Sequence, residues 1–330
     1  MAVLVTGGAG YIGSHMVWAL LDAGEDVVVL DRLSTGFAWA VSPDARLVAG
    51  DIADTELVRS LIEKHEIDAI IHFAGSIIVP ESVADPLGYY ENNTSKTRTL
   101  LQTAVEGGVK HFIFSSTAAV YGAAGLEPVT EDTPLLPESP YGRSKLMSEW
   151  MLRDAAAAHD ITYTALRYFN VAGADPKGRT GQSTPGATHL IKVASEAVLG
   201  KRDHLKVFGT DYPTPDGTCV RDYIHVSDLA DAHLLALQRL RRGGGNLIAN
   251  CGYNHGYSVL EVVDAVKRVS GVDFPVEFVE RRPGDPAAIV ANADRARAEL
   301  GWTPQHDNLE EIVTHALAWE EALTRKNASA

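Results

Sequence analysis

Three side chains carry the chemistry most plainly offered by this sequence. Tyr141 and Lys145, in Ser139-Pro140-Tyr141-Gly142-Arg143-Ser144-Lys145, set a phenol and an ammonium four residues apart, and on a helix positions i and i+4 share one face. A fixed cation beside a phenol favours the phenolate and lowers its pKa, which makes tyrosine a usable base. Thr117 follows an apolar run, where its hydroxyl can reach both a substrate hydroxyl and the Tyr141 phenol. A Tyr-x-x-x-Lys pair alone is common by chance, and hydroxyls after strands often only cap turns. The surrounding elements decide whether these three meet.

Residues 3–6 form a short apolar strand, and Gly7-Gly8-Ala9-Gly10-Tyr11-Ile12-Gly13 follows at once, before helical periodicity over residues 12–23. Gly7, Gly10 and Gly13, with the Tyr11 and Ile12 positions between them, let backbone amides approach a pyrophosphate at a helix N-terminus, where the dipole favours anions. A second strand, residues 26–30, ends at Asp31. A carboxylate there accepts hydrogen bonds from an adenosine ribose and repels a 2′-phosphate, so NAD is expected despite Arg32 beside it.

The alternation continues with a strand at 47–49 followed by Asp51-Ile52, a helix at 54–65, and a strand at 69–73 ending in Ala74-Gly75. A helix over 86–107 then carries Asn92 and Asn93, and a strand at 111–115 delivers Ser116 and Thr117. This order predicts an α/β fold, a Rossmann-type doubly wound parallel sheet whose ligand lies beyond the carboxyl ends of the strands. Asp51, placed to meet an adenine amino group, Phe73 to Gly75 and the residues after Phe114 fall at such ends.

Composition limits the partners. The 330-residue chain is 45% hydrophobic and carries a formal charge of −14, which argues against a nucleic-acid-binding face but not against an anionic small molecule held by a few arginines. Cys219 and Cys251 lack metal-type spacing and read as reduced thiols. The 12 histidines include no H-x-x-x-H pair, and no metal is assigned. No basic, apolar leader and no membrane-length apolar run occurs, so a cytoplasmic protein is expected.

Beyond Asn170 the parallel pattern weakens. Residues 173–188 are rich in Gly, Pro and Thr and open a smaller α/β substrate-binding domain over 173–330. The NAD-binding domain takes residues 1–172, and segments near 219–250 rejoin it. Helices are expected over 188–200, 227–240 with Ser227 as N-cap, 258–269 and 309–323, a strand over 246–250, and a frayed tail from 326.

Residues 7–13, Asp31, Thr117 and Tyr141-x-x-x-Lys145 resemble the extended short-chain dehydrogenase/reductase family. His72-Phe73-Ala74-Gly75, Phe114-Ser115-Ser116, Ser139-Pro140-Tyr141-Gly142 and Arg167-Tyr168-Phe169-Asn170 are similar to its nucleotide-sugar 4-epimerase branch, and the likeness spans nearly the whole chain. It implies a bound, recycled NAD touched by Ile52, Asn92, Asn93, Ser115, Tyr141, Lys145 and Tyr168 besides the residues above. It implies a UDP-sugar held by Phe169, Asn170, His189, Leu190, Val207, Phe208, Arg221, Arg282 and Asp285, with Thr117 and Tyr141 at the hexose. It further implies galactose metabolism, and a homodimer paired through helices near 86–107 and 141–159.

Arg221 and Arg282 suit a diphosphate clamp because guanidinium presents paired planar donors; in a chain with 43 acidic residues each can instead form an ion pair. Asp285 suits the uridine ribose, or a structural cap. Three positions depart from the branch: Ile77 stands where some relatives have Lys, His189 where Asn is common, and Ile289 where residue size governs N-acetylated sugars. The implied reaction is UDP-glucose/UDP-galactose interconversion, Tyr141 removing the 4-OH proton as C4 loses hydride. UDP-N-acetylhexosamine, UDP-pentose and UDP-uronic acid epimerisation stay open, as does a catalytically silent NAD-binding regulator. A 4,6-dehydratase would need an acid/base pair where Ala118 and Ala119 stand.

Overall fold

The apolar runs of the first half become one parallel sheet. A computed structural model describes residues 1–282 and 285–328, with side chains through Arg325; Pro283, Gly284, Ser329 and Ala330 lie outside what it describes, while residues 326–328 of the expected frayed tail continue the last helix. β1 (Ala2–Thr6), β2 (Asp26–Asp31), β3 (Arg46–Ala49), β4 (Ile67–His72), β5 (His111–Ser115) and β6 (Thr162–Tyr168) lie in the order 3-2-1-4-5-6. Their sequences are nearly continuous apolar stretches because helices cover both faces. Val3 and Val5 enter one core, while Ala2 and Leu4 enter the other. β1 pairs with both β2 and β4, so the strand order reverses there and a crevice opens beyond their carboxyl ends.

α1 (Tyr11–Asp22), α2 (Thr55–His65), α3 (Val79–Ala84), α4 (Pro86–Tyr89), α5 (Lys96–Glu106) and α6 (Pro140–Ala158) are the helices of the first half. The continuous helix expected over 86–107 is interrupted by a π turn at Tyr90–Ser95. Such turns insert an extra residue per turn and recur at functional sites. This one leaves Asn93 buried against α6, which an unbroken 3.6-residue period does not predict.

Most later strands are shorter. β7 (Asn170–Ala172), α7 (Leu190–Val198), β8 (Leu205–Phe208), β9 (Val220–Arg221), β10 (Tyr223–His225) and α8 (Val226–Arg241) precede β11 (Leu247–Cys251), which pairs in parallel with β6 and extends the large sheet. α8 starts one residue before the expected Ser227 cap, because the His225 imidazole Nδ1 accepts the Ser227 amide and serves as the cap itself. β12 (Tyr257–Ser258), α9 (Val259–Ser270), β13 (Val276–Val279), β14 (Ala288–Ile289), α10 (Asp294–Leu300) and α11 (Leu309–Ala328) complete the described chain. Three small sheets, β10 with β7, β12-β9-β14 and β13 with β8, stand beside the large one.

Candidate active site

Tyr141, Lys145 and Thr117 converge where α6 meets the end of β5. Ser139 caps α6, its Oγ accepting the Gly142 amide at 3.1 Å, and Pro140 sits where a missing N–H costs nothing. A Cβ at Gly142 would lie 2.5 Å from the Ala119 carbonyl, so glycine alone allows the first turn of α6 to approach the turn after Thr117. The three side chains are 7%, 3% and 8% exposed. Thr117 Oγ1 accepts the Ala119 amide at 3.1 Å, capping the 3-10 turn at Ala118–Val120, and the Thr117 hydroxyl stands close enough to Tyr141 to lower its phenol pKa. Because the amide occupies an acceptor position, the hydroxyl proton is left to point at the phenol.

One expectation is corrected. The Lys145 ammonium donates to the Ser115 carbonyl at 2.9 Å and stands 4.8 Å from the centre of the Phe114 ring. Burial pushes the Tyr141 phenol above its ordinary value, opposed by the Thr117 hydrogen bond. Burial also draws Lys145 down to about 8, although the Glu149 carboxylate pulls it back up. The i, i+4 spacing therefore puts both groups on one face, yet desolvation outweighs the expected lowering of the phenol.

The glycine turn fits a dinucleotide. Gly10 precedes α1 with no capping side chain, and no acid occupies the first turn, so the leading amides of Tyr11, Ile12 and Gly13 lack intrahelical acceptors and suit phosphate oxygens. Asp31 closes the turn by accepting the Ala9 amide at 3.0 Å and the Leu33 amide at 2.7 Å, which leaves a lone pair on each oxygen for ribose hydroxyls. Arg32 turns to Ser34 instead. Tyr11 spends its hydroxyl on the Gly173 carbonyl, at 2.7 Å.

Several residues expected to contact the cofactor also have partners within the protein. Asp51 pairs with Lys96 and accepts the Ala53 amide; burial raises its pKa, but these partners outweigh that and hold it below the ordinary carboxylate value. The Ile52 side chain is buried in the core with Val58 and Leu61. The Phe73 and Ala74 amides are taken by the Thr6 carbonyl, while Gly75 is exposed at the crevice. Asn93 is 2% exposed. Its amide accepts from the Ser76 N–H and donates to the Ser76 carbonyl and Ser144, and Asn92 donates to Ser76 Oγ. Both asparagines thus fix the loop after β4. Ser115 donates to the Tyr168 hydroxyl at 2.8 Å, and burial raises the Tyr168 phenol.

The substrate-side residues form two groups. Asn170, His189 and Leu190 line one cavity with Gln182, Lys192 and Trp319. The Gln182 amide lies 2.8 Å from His189 Nδ1, and burial lowers the His189 pKa. In the second group Arg221 donates to Asp285 at 2.6 Å and to the Val220 carbonyl, whereas Arg282 lies 3.7 Å over the Phe208 ring. Arg221 therefore has the ion-pair partner weighed against its phosphate role. The Val207 side chain is fully buried, so it offers a ligand no side-chain contact. Phe169 and Ile289 pack against Ala118, Tyr121 and Leu146, and Ile77 is exposed.

Sequence reasoning missed Ser76, Lys96, Gln182 and Glu149, and quoted Ser116 and Arg167 only within motifs, with no role. Glu149 had a signal of its own, as the next i+4 position after Tyr141 and Lys145. It also missed the approach of His225, His306 and His315, whose Nδ1 atoms meet, in turn, the Ser227 amide, Glu311 and the His225 ring.

A family model described as the NAD dependent epimerase/dehydratase family matches residues 3–252. A UDP-glucose 4-epimerase from Azospirillum brasilense is 60% identical over 321 residues, 97% of this chain and 92% of its own. The crystal structure of UDP-glucose 4-epimerase from Brucella ovis in complex with NAD superposes with a TM-score of 0.93 at 45% identity, covering 96% of this chain and 97% of that one. That from Bifidobacterium longum, in complex with NAD+ and UDP, has a TM-score of 0.92 at 39% identity and covers 98% of each chain.

Proposed function

The chain belongs to the NAD dependent epimerase/dehydratase family, and we propose that it interconverts UDP-glucose and UDP-galactose through a transient 4-keto sugar. The observation carrying this reading is the meeting of Tyr141, Lys145 and Thr117 in one buried corner beyond β5. Residues 7–13 and Asp31 hold NAD, which when bound takes a hydride from the sugar C4 and returns it. Tyr141 Oη removes the 4-OH proton and later gives it back. Before that step the phenol gives up its own proton; Thr117 Oγ1 then donates to the phenolate, and the Lys145 ammonium, fixed by the Ser115 carbonyl, supplies positive charge from one helical turn away. Burial disfavours a free phenolate, so these donors must hold the phenolate before it takes the 4-OH proton.

Arg221, Arg282, Asp285 and the Asn170–His189 cavity hold the UDP part, leaving the hexose free to present its other face. Remote binding energy then retains a substrate whose reacting end is mobile. For the diphosphate to use Arg221, the Arg221–Asp285 pair must rearrange.

Incubating the purified protein with UDP-galactose and separating the 4-epimers by chromatography tests the reading. UDP-glucose should accumulate to equilibrium without added oxidant. Absence of conversion, or conversion confined to UDP-N-acetylhexosamines, UDP-pentoses or UDP-uronic acids, would replace it. Thr117→Val keeps the branched shape and removes the donor, so kcat should fall roughly 10- to 100-fold at the low end of general acid–base effects, with KM little changed. Unchanged kcat would remove Thr117 from the proton path.

The same reading makes the protein a cytoplasmic homodimer of galactose metabolism. No helix among the described residues is long and apolar enough to cross a membrane. Val83 and Leu87, on α3 and α4, and Trp150, on the adjacent α6, are exposed large apolar side chains, suited to cover by a second copy. A monomeric mass by light scattering would refute the dimer.

A further inference from the structure

Below Lys145, one more turn along α6, Glu149 forms an almost fully buried ion pair with Arg167 of β6. Arg167 Nε donates to Glu149 Oε1 at 2.9 Å and its terminal nitrogen to Oε2 at 2.6 Å, while Ser116 Oγ donates to Oε1 at 2.6 Å. The remaining arm of Arg167 reaches the Tyr121 hydroxyl, which donates to Asn250 of β11. Lys145 and Glu149 stand at the i, i+4 spacing that ordinarily forms a direct ion pair, yet Lys145 donates to the Ser115 carbonyl instead. A guanidinium gripping both carboxylate oxygens outcompetes an ammonium. Arg167 thereby occupies Glu149 and leaves Lys145 free for the site.

We propose that Glu149 is a positioning residue for the epimerisation, keeping Lys145 in its charged form and, through Ser116, fixing the Ser115–Thr117 segment that bears the ammonium's acceptor and the Thr117 hydroxyl. Ser116 lies between the two residues whose placement matters, so one hydrogen bond to Glu149 constrains both. The inference rests on Tyr141 being the base.

The charges around Lys145 support it. Burial draws Lys145 down to about 8, and Glu149 is the group that raises it. His72 of β4 faces it as a ring that burial holds neutral, down to about 3. Burial raises the phenols of Tyr141 and, on β6, Tyr168. The π turn at Tyr90–Ser95 brings Asn93, an uncharged amide, to Gly75 beside Lys145. Glu149 is thus the carboxylate that favours the charged ammonium, and the Arg167 guanidinium bound to it partly offsets that effect. Removing its charge lowers the folded-state pKa of Lys145 further, so the ammonium deprotonates at a lower pH and the alkaline limb of activity moves toward acid.

The test is kcat against pH for the full-length holoenzyme and its variants. In Glu149→Gln the alkaline limb should move acidward by about one unit or more, the size expected for loss of a nearby opposite charge. In Ser116→Ala, which keeps the charge, kcat should fall with the limb unmoved, and KM for the UDP-sugar should stay near wild type in both. If Glu149→Gln does not fold, the double variant Glu149→Gln/Arg167→Met removes both buried charges, a change that is often neutral for stability, and should show a smaller acidward shift because the cation opposing Glu149 is lost with it. A limb that stays at the wild-type pH in the folded variant overturns the proposal. Tyr141→Phe separates the two failures: an active Tyr141→Phe sinks the assignment of the base, whereas an unmoved limb with inactive Tyr141→Phe sinks only the role of Glu149.

Discussion

Tyr141→Phe should yield a folded protein that keeps NAD and binds UDP but turns over roughly 10²- to 10⁴-fold more slowly, the span of a lost general base. The substitution removes one atom from a ring that is 7% exposed and meets Tyr89 edge-on at 6.5 Å between centroids, so packing is preserved. The hydroxyl's own partner is Thr117, which retains its bond from the Ala119 amide; the stability cost is that of one modest hydrogen bond, about 1 kcal/mol. No neighbouring group can substitute as base. Tyr168 is tied to Ser115 with a raised phenol pKa, and His72 is buried between Thr6 and Thr97 hydroxyls. Steady-state epimerisation, with thermal melting and cofactor content measured in parallel, checks the expectation. A variant with turnover near wild type would end the case for Tyr141.

Gly13→Ala should act through the cofactor cradle rather than the proton path. A Cβ at this position would lie 2.1 Å from the Gly7 carbonyl oxygen and 2.8 Å from the Gly8 Cα. Both obstacles are backbone, so no side-chain rotation relieves them. Either α1 shifts away from the turn or the turn opens, at a cost of about 1–3 kcal/mol or more, as for overpacked cores. Since α1 packs closely on α8 and on β1 and β2, the melting temperature should drop by several degrees, about 2–4 °C per kcal/mol in a domain of 150–250 residues. The shift also displaces the Tyr11 and Ile12 amides, so the purified variant should carry little NAD and regain part of its activity when NAD is added in excess. Unchanged melting and full NAD content would show that the turn absorbs the methyl.

Thr117 shows how a structural and a chemical reading of one residue can both hold, because a hydroxyl has an acceptor side and a donor side. Arg221 shows that the same two readings can compete, because the carboxylate of Asp285 and a diphosphate would claim the same guanidinium. The tertiary contact, not the residue type, separates these cases.

By itself the sequence determined the parallel order of elements, the glycine turn before α1, the carboxylate at the end of β2 and the shared face of Tyr141 and Lys145. These follow from period, glycine geometry and short spacings, which act between near neighbours and hold wherever the segment is placed. The tertiary structure alone decided which partner each polar group took. It set the π turn that buries Asn93, the transfer of Lys145 to the Ser115 carbonyl, the capture of Glu149 by an arginine 18 residues away and the burial that raises the Tyr141 phenol. Desolvation and partner choice depend on residues distant in the chain arriving together, and no local spacing records which of several competing donors will reach an acceptor first.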